Sequence, residues 1–112
     1  MSFNNEIRLI GNLVKDIEEI ATERGKFYIA RIATNTKRGE IIDSMFIDIK
    51  IFGNLCTDIE EDPISKGDRI IVLGRLSIDE FTDKNEIKRR EPVVYANSIA
   101  KIKKRVGTEI NF

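Results

Sequence analysis

The chain has no histidine and no tryptophan, one cysteine, two prolines, and no excess of charge of either sign. Without histidine it lacks the commonest general base and metal ligand. Cys56 has no histidine to activate it as a nucleophile. It also has no second cysteine with which to form an internal disulfide, which fits a cytoplasmic setting. No apolar run is long enough to span a bilayer. The N-terminus has no basic region followed by an apolar one, so no signal peptide is expected. No glycine-rich segment follows the phosphate-loop pattern. Asp58, Glu60, Glu61 and Asp62 lack the alternate spacing and central glycine of a calcium loop, and they read as a solvated helix face. The chain is therefore expected to bind and not to catalyse, with no cofactor or metal.

What is present is enough for one domain with one core: 112 residues, 41% hydrophobic and 34% charged. Isoleucine is prominent, and its β-branched stiffness favours strands. Nineteen basic and nineteen acidic residues cancel, and the pI is about 6.3. That weighs against a simple polyanion binder, whose usual footprint is a basic domain. The charges are segregated, however. Lys37 and Arg38 sit together, as do Lys88, Arg89 and Arg90, and Lys101, Lys103, Lys104 and Arg105. A neutral total can still carry a basic groove and an acidic back; the alternative is solvated loop charge.

Alternation predicts a strand over 5–15, with Ile7, Leu9, Gly11 and Leu13 on one side. Residues 16–23 read as a short extension, and Glu23 to Lys26 as a turn in which Gly25 supplies a positive φ. A second strand is predicted over 27–34, with Tyr28, Ala30 and Ile32 inward and Phe27, Ile29 and Arg31 outward. Thr36 to Asp43 reads as a polar loop. Met45 to Phe52 is the most informative segment: Ile47, Ile49 and Ile51 alternate with Phe46, Asp48, Lys50 and Phe52. Period-two alternation puts the isoleucines in the core and the aromatic and charged set on the opposite face. A short helix over 54–61, with Cys56 on its inward side, is followed by Pro63 and Gly67. A fourth strand is predicted over 69–77, a basic hairpin loop over 81–90, and a last strand over 93–102 that opens just after Pro92. Three strands, a helix and two strands match a five-stranded Greek-key barrel, the oligonucleotide-binding (OB) fold. Gly11-Asn12-Leu13, Gly53-Asn54-Leu55 and Gly74-Arg75-Leu76 supply glycines where such a barrel must bend. The barrel domain is placed at 1–104 and a short C-terminal tail at 105–112.

The string Asn5-Glu6-Ile7-Arg8-Leu9-Ile10-Gly11-Asn12-Leu13-Val14-Lys15-Asp16 resembles the opening strand of bacterial and phage-type single-stranded DNA-binding proteins. The resemblance continues through Ile32-Ala33-Thr34, Phe46 to Leu55, Lys66-Gly67-Asp68, Val72 to Leu76, Phe81-Thr82-Asp83 and Ala96-Asn97-Ser98-Ile99. These segments fall in the family's order and cover about residues 4–102. The resemblance implies an all-β OB-fold barrel that holds single-stranded DNA by base stacking, in replication, repair or recombination. It also implies a homotetramer, or a dimer as in some relatives. Phe46 and Phe52 match the family's aromatic pair on the third strand, and Phe81 matches the aromatic at the base of the hairpin between the last two strands. Arg38 falls near a position that is aromatic in some members, and a guanidinium can also stack on a base. Asp48 departs from the pattern, since a carboxylate near phosphates is unfavourable. The tail keeps Phe112 but lacks the family's acidic run and proline, which puts recruitment of partner proteins through it in doubt.

On this basis Phe46, Phe52 and Phe81 are the expected stacking residues. Lys50 lies on the same face between Phe46 and Phe52 and can meet a phosphate, and Arg31 projects toward that face from the neighbouring strand. Lys84, Lys88 and Arg89 would let the hairpin loop fold over the strand. Two alternatives stay open: the phenylalanines pack at a subunit interface or under a loop, or Arg31 pairs with a surface carboxylate. A second functional class is also open, an OB-fold adaptor of a primosome-like replication assembly with weak nucleic-acid binding. Stacking alone does not separate DNA from RNA.

Overall fold

The structure is a computed structural model, and it describes residues 4–102. The strands are β1 (Ile7–Leu13), β2 (Glu18–Thr22), β3 (Gly25–Arg38), β4 (Ile41–Ile51), β5 (Arg69–Thr82) and β6 (Lys88–Lys101). One helix, α1 (Asn54–Glu61), lies between β4 and β5 in the chain. The strands pair in the order β1-β5-β6-β4-β3-β2, and β1 also pairs with β3, which closes a five-strand ring. The β4–β6 contact is parallel and the other pairings are antiparallel.

The isoleucine-rich interior follows from the alternation. Ile47, Ile49 and Ile51 of β4 point inward with Tyr28, Ala30 and Ile32 of β3, Ile70 and Val72 of β5, and Val94 of β6. Ile7 and Leu9 of β1 pack against this cluster. An eight-residue helix is marginal by itself. Here α1 is held by Cys56 and Ile59, which are buried in the same core, while Asp58, Glu60, Glu61 and Asp62 are exposed. Burial raises the Cys56 thiol pKa, and its Sγ lies 3.4 Å from the Ile51 carbonyl oxygen.

Two glycines let the ring close. At Gly11, a Cβ would lie 2.5 Å from the Ala33 carbonyl oxygen, where β1 passes from β5 to β3. At Gly74, a Cβ would overlap the Tyr95 carbonyl oxygen, beside a β-bulge that shifts the β5–β6 register between Leu73 and Gly74. The third Gly-x-Leu glycine, Gly53, serves differently: it is the N-cap of α1, with φ +64°.

Three segments differ from the sequence expectation. Residues 18–22, expected as an extension, form β2, which continues the line of β1 along the edge of β3 from Glu18↔Ile29 to Thr22↔Gly25. The polar loop expected over 36–43 is instead a ribbon: β3 and β4 pair out to Arg38↔Ile41, leaving Gly39 and Glu40 as the turn. Gly39 has φ +62°, the left-handed backbone that a two-residue hairpin turn needs. The basic loop expected over 81–90 is also half paired, through Phe81↔Arg89 and Thr82↔Lys88, leaving 83–87 as the turn. Its turn is organised by Asp83, whose Oδ1 accepts from the Asn85 and Ile87 amides at 2.9 and 3.0 Å. Ladder hydrogen bonds join backbone to backbone, so a ribbon standing out in solvent shows no apolar alternation. That is why both arms read as loops.

Candidate nucleic-acid interface

The outward residues of four adjacent strands form one continuous face. The register sets Ile29, Lys50, Tyr95 and Arg75 abreast, and beside them Arg31, Asp48, Val93 and Ser77. Phe46 follows on β4 opposite Ala33. Asp79 and Phe81 follow Ser77 at two-residue spacing on β5, opposite Glu91 and Arg89. Phe46, Phe52, Lys50 and Arg31 thus share a face, as the alternation predicted, and Phe81 lies along its β5 margin.

Phe46, Phe52 and Phe81 are 54%, 46% and 44% exposed, which is high for large apolar side chains with a packed core beside them. Phe52 is the centre of a row of rings. Its centroid is 4.7 Å from that of Phe27 and 5.8 Å from that of Tyr95, both near parallel. The Arg75 guanidinium caps the far side at 4.4 Å from the Tyr95 ring. Phe46 stands apart from this row, with the Arg31 guanidinium 5.9 Å from its centroid.

Most charges of the face are matched in pairs; Arg75 enters no ion pair among the described residues. Arg31 Nη1 donates to Asp48 Oδ1 at 2.9 Å, which is the carboxylate-paired alternative for Arg31 and also neutralises Asp48. Lys50 Nζ donates to Asp79 Oδ2 at 2.5 Å, and the Tyr95 hydroxyl donates to Asp79 Oδ1 at 2.9 Å. Lys50 is therefore engaged, because a half-buried ammonium needs a partner to offset lost hydration. The Lys50 hydrogen bond holds the Asp79 carboxyl below its usual pKa. Burial, and then the bond to Asp79, pushes the Tyr95 hydroxyl above its own. Arg38 pairs with Asp43 at 2.9 Å on the β3–β4 ribbon. Arg89 pairs with Asp83 at 2.6 Å, which lowers the Asp83 pKa, and Arg90 pairs with Glu80 at 3.3 Å. Lys84 and Lys88 are exposed and make no ion pair among the described residues. Lys101 pairs with Asp68 at 3.7 Å; Lys103, Lys104, Arg105 and the tail from 105 lie outside the described residues.

Residues 4–102 match the sequence profile of the Single-strand binding protein family. The chain belongs to that family. Among curated relatives, it is 31% identical over 102 residues to the single-stranded DNA-binding protein of Wolinella succinogenes, covering 85% of this chain and 62% of that protein. It is 28% identical over 101 residues to that of Helicobacter hepaticus, covering 85% and 59%. The chain thus spans about three fifths of the length of these relatives. Among solved structures, the small single-stranded DNA-binding protein from Streptomyces coelicolor superposes with a TM-score of 0.72 at 19% identity, over 89% of this chain and 96% of that one. The Plasmodium falciparum SSB in complex with ssDNA superposes with a TM-score of 0.76 at 18% identity, over 92% and 98%. Both share the barrel fold.

Two residues of the ring row in this single-strand binding family member were not singled out from sequence. Phe27 had been placed on the outward side of its strand, and that parity, shared with Arg31, was the available signal. Tyr95 gave a weaker one, because Val93 and Val94 are both buried before it and mask the alternation. Arg75 was assigned only to a Gly-x-Leu unit.

Proposed function

We propose that the chain binds single-stranded DNA with little regard to sequence, holding it across the β3-β4-β6-β5 face. The observation that carries this is the exposure of Phe46 on β4 and Phe52 just past its end, on a continuous face, in a chain of this family. Every base has a π-face, so each ring that takes a base contributes roughly 1–3 kcal/mol whatever the base. Phe46, Phe52 and Phe81 are the stacking residues of this reading, Phe52 by parting from one of the two rings it faces. Arg31, Lys50, Arg38 and Arg89 supply charge as paired groups, and Lys84 and Lys88 as unpaired ones. Such a protein would shield exposed strands during replication, repair or recombination, in the cytoplasm and as a homotetramer. Residues 1–104 act as one OB-fold unit, and the antiparallel ring with its parallel β4–β6 seam supports Greek-key connectivity with α1 between the third and fourth barrel strands.

The test is titration of a fluorescently labelled oligothymidine at several salt concentrations, with the matching duplex as control. Binding confined to the single strand is the expected result. No binding even at low salt would overturn the reading. One observation favours the second class, an adaptor in a replication assembly: Arg31, Lys50, Arg38 and Arg89 each already have a carboxylate partner. An adaptor would keep whatever weak DNA binding it has when Phe46 and Phe52 are replaced by alanine.

A further inference from the structure

The ring row does not end at the sheet. Phe27 and Phe52 also form the aromatic wall of an open cleft of about 550 Å³ between the β2–β3 turn and the first turns of α1. Thr22 and Arg24 line it from the turn, and Thr57 and Glu60 from the helix. The cleft is continuous with the proposed DNA-binding face, because the same two rings belong to both. Its size lies in the range of sites that enclose a small molecule, and its make-up suits a nucleotide: an aromatic wall for a base, hydroxyls for its polar edge, and a cation for its phosphate.

The cation is available, as Arg75 is on the sheet face. The arginines on the sheet face that meet carboxylates are held by them, whereas Arg24 enters no ion pair among the described residues. Lys26, beside it, is occupied by Glu60 at 2.8 Å and Glu19 at 3.2 Å. Glu60 also accepts from the Tyr28 hydroxyl at 3.1 Å, so two neighbours fix the carboxylate on the helix side. A phosphate at the turn side of the cleft therefore meets an uncompensated guanidinium, while the one carboxylate of the lining is already neutralised.

We propose that this cleft is a nucleotide subsite, in which one nucleotide at the end of the bound strand leaves the sheet, sets its base beside Phe27 and Phe52, and places its phosphate on Arg24. The proposal rests on the single-strand reading above. It makes the cleft the terminus of the strand's path, and it adds Phe27, Arg24 and Thr57 to the residues that touch DNA.

The test compares affinities for oligothymidines of increasing length in the unaltered chain, in Thr57→Leu, which fills the cleft, and in Arg24→Ala. Strands short enough to stay on the sheet should bind all three alike. Longer strands should bind the unaltered chain more tightly by one added step, and Thr57→Leu should lose that step, roughly 5- to 150-fold for one stacked base. Arg24→Ala should lose part of it. If both variants keep the full step while Phe46→Ala removes binding, the sheet reading stands and the subsite is overturned. If the unaltered chain holds no strand of any length, the single-strand reading falls and the subsite with it. A second measurement needs no variant: a strand with 5-iodouracil at one terminus is photocrosslinked and the modified peptide identified. Crosslinks within the Thr22–Phe27 or Phe52–Glu60 segments from one terminus are expected. Crosslinks from both termini that fall only elsewhere would overturn the subsite.

Discussion

Lys50 Nζ lies 2.5 Å from Asp79 Oδ2, across the parallel seam that joins β4 to β6 and on to β5. The cation at the middle of the proposed DNA face is thus compensated in the free protein. The same holds for Arg31 with Asp48. A strand crossing this face meets rings and dipoles more than net charge, so binding should depend on salt less steeply than the number of basic residues suggests. Asp79→Asn should release Lys50 to a phosphate. Titrations over a range of salt should then show the slope of log K against log salt steepening by roughly 0.7, the value for one added phosphate contact on a single strand. An unchanged slope would mean that Lys50 does not face the strand.

Stacking should carry the affinity. Phe46→Ala and Phe52→Ala are each expected to weaken oligothymidine binding by roughly 1–3 kcal/mol. Among the described residues, Phe52 is in contact with two other rings and Phe46 with none, so Phe52→Ala also unsettles Phe27 and Tyr95 and should cost more. Equal losses in the two titrations would show that the row does not act as a unit.

Barrel closure should fail at Gly74. Alanine there places a Cβ on the Tyr95 carbonyl oxygen, and the backbone of both strands must shift, at roughly 1–3 kcal/mol of stability. Gly39→Ala is the useful contrast. Its new Cβ meets nothing within 4 Å, and the cost there is the left-handed backbone alone, about 1–2 kcal/mol. Urea unfolding reads both costs, and oligothymidine titration separates the variants: Gly74→Ala should also weaken DNA binding, because Tyr95 moves, and Gly39→Ala should not.

Acid should weaken the barrel through Asp79. Its carboxyl titrates below the ordinary 3.8 because the folded protein stabilises the charged form. The stability it adds is therefore complete above about pH 4 and is lost as the pH falls through its lowered folded-state value. In thermal melts from about pH 6 down to about pH 2, the gap between the unaltered chain and Asp79→Asn should hold steady and then close below about pH 4. A gap that persists in acid would place the coupling elsewhere.

The barrel was legible because its interior alternates. Ile47, Ile49 and Ile51 announce one face and, by parity, place Phe46, Lys50 and Phe52 on the other. The two ribbons were not legible, since residues 36–43 and 81–90 bury no apolar stripe for a pattern to report. Nor were the partners of Lys50 and Arg31. Asp79 lies 29 residues from Lys50, and only the β4–β6–β5 register brings them together. Phe27 is outward by parity and Tyr95 is not marked by any alternation, and a stack built from three separate segments shows only in three dimensions.

The ring closes through partners far apart in the chain. Ile7 lies opposite Gly74 and Ile10 opposite Ile71, while β1 meets β3 at only two positions, Asn12↔Ala33 and Leu13↔Ile32. A chain emerging from the ribosome can build the β3–β4 hairpin early, but it cannot cover that hairpin's isoleucine side until β5 and β6 have been made. Folding is thus tied to the completion of β6, and topologies dominated by such distant contacts fold slowly. Until then Ile47, Ile49 and Ile51 form an uncovered, β-prone stripe, and the nascent chain is at its most vulnerable to aggregation in that interval.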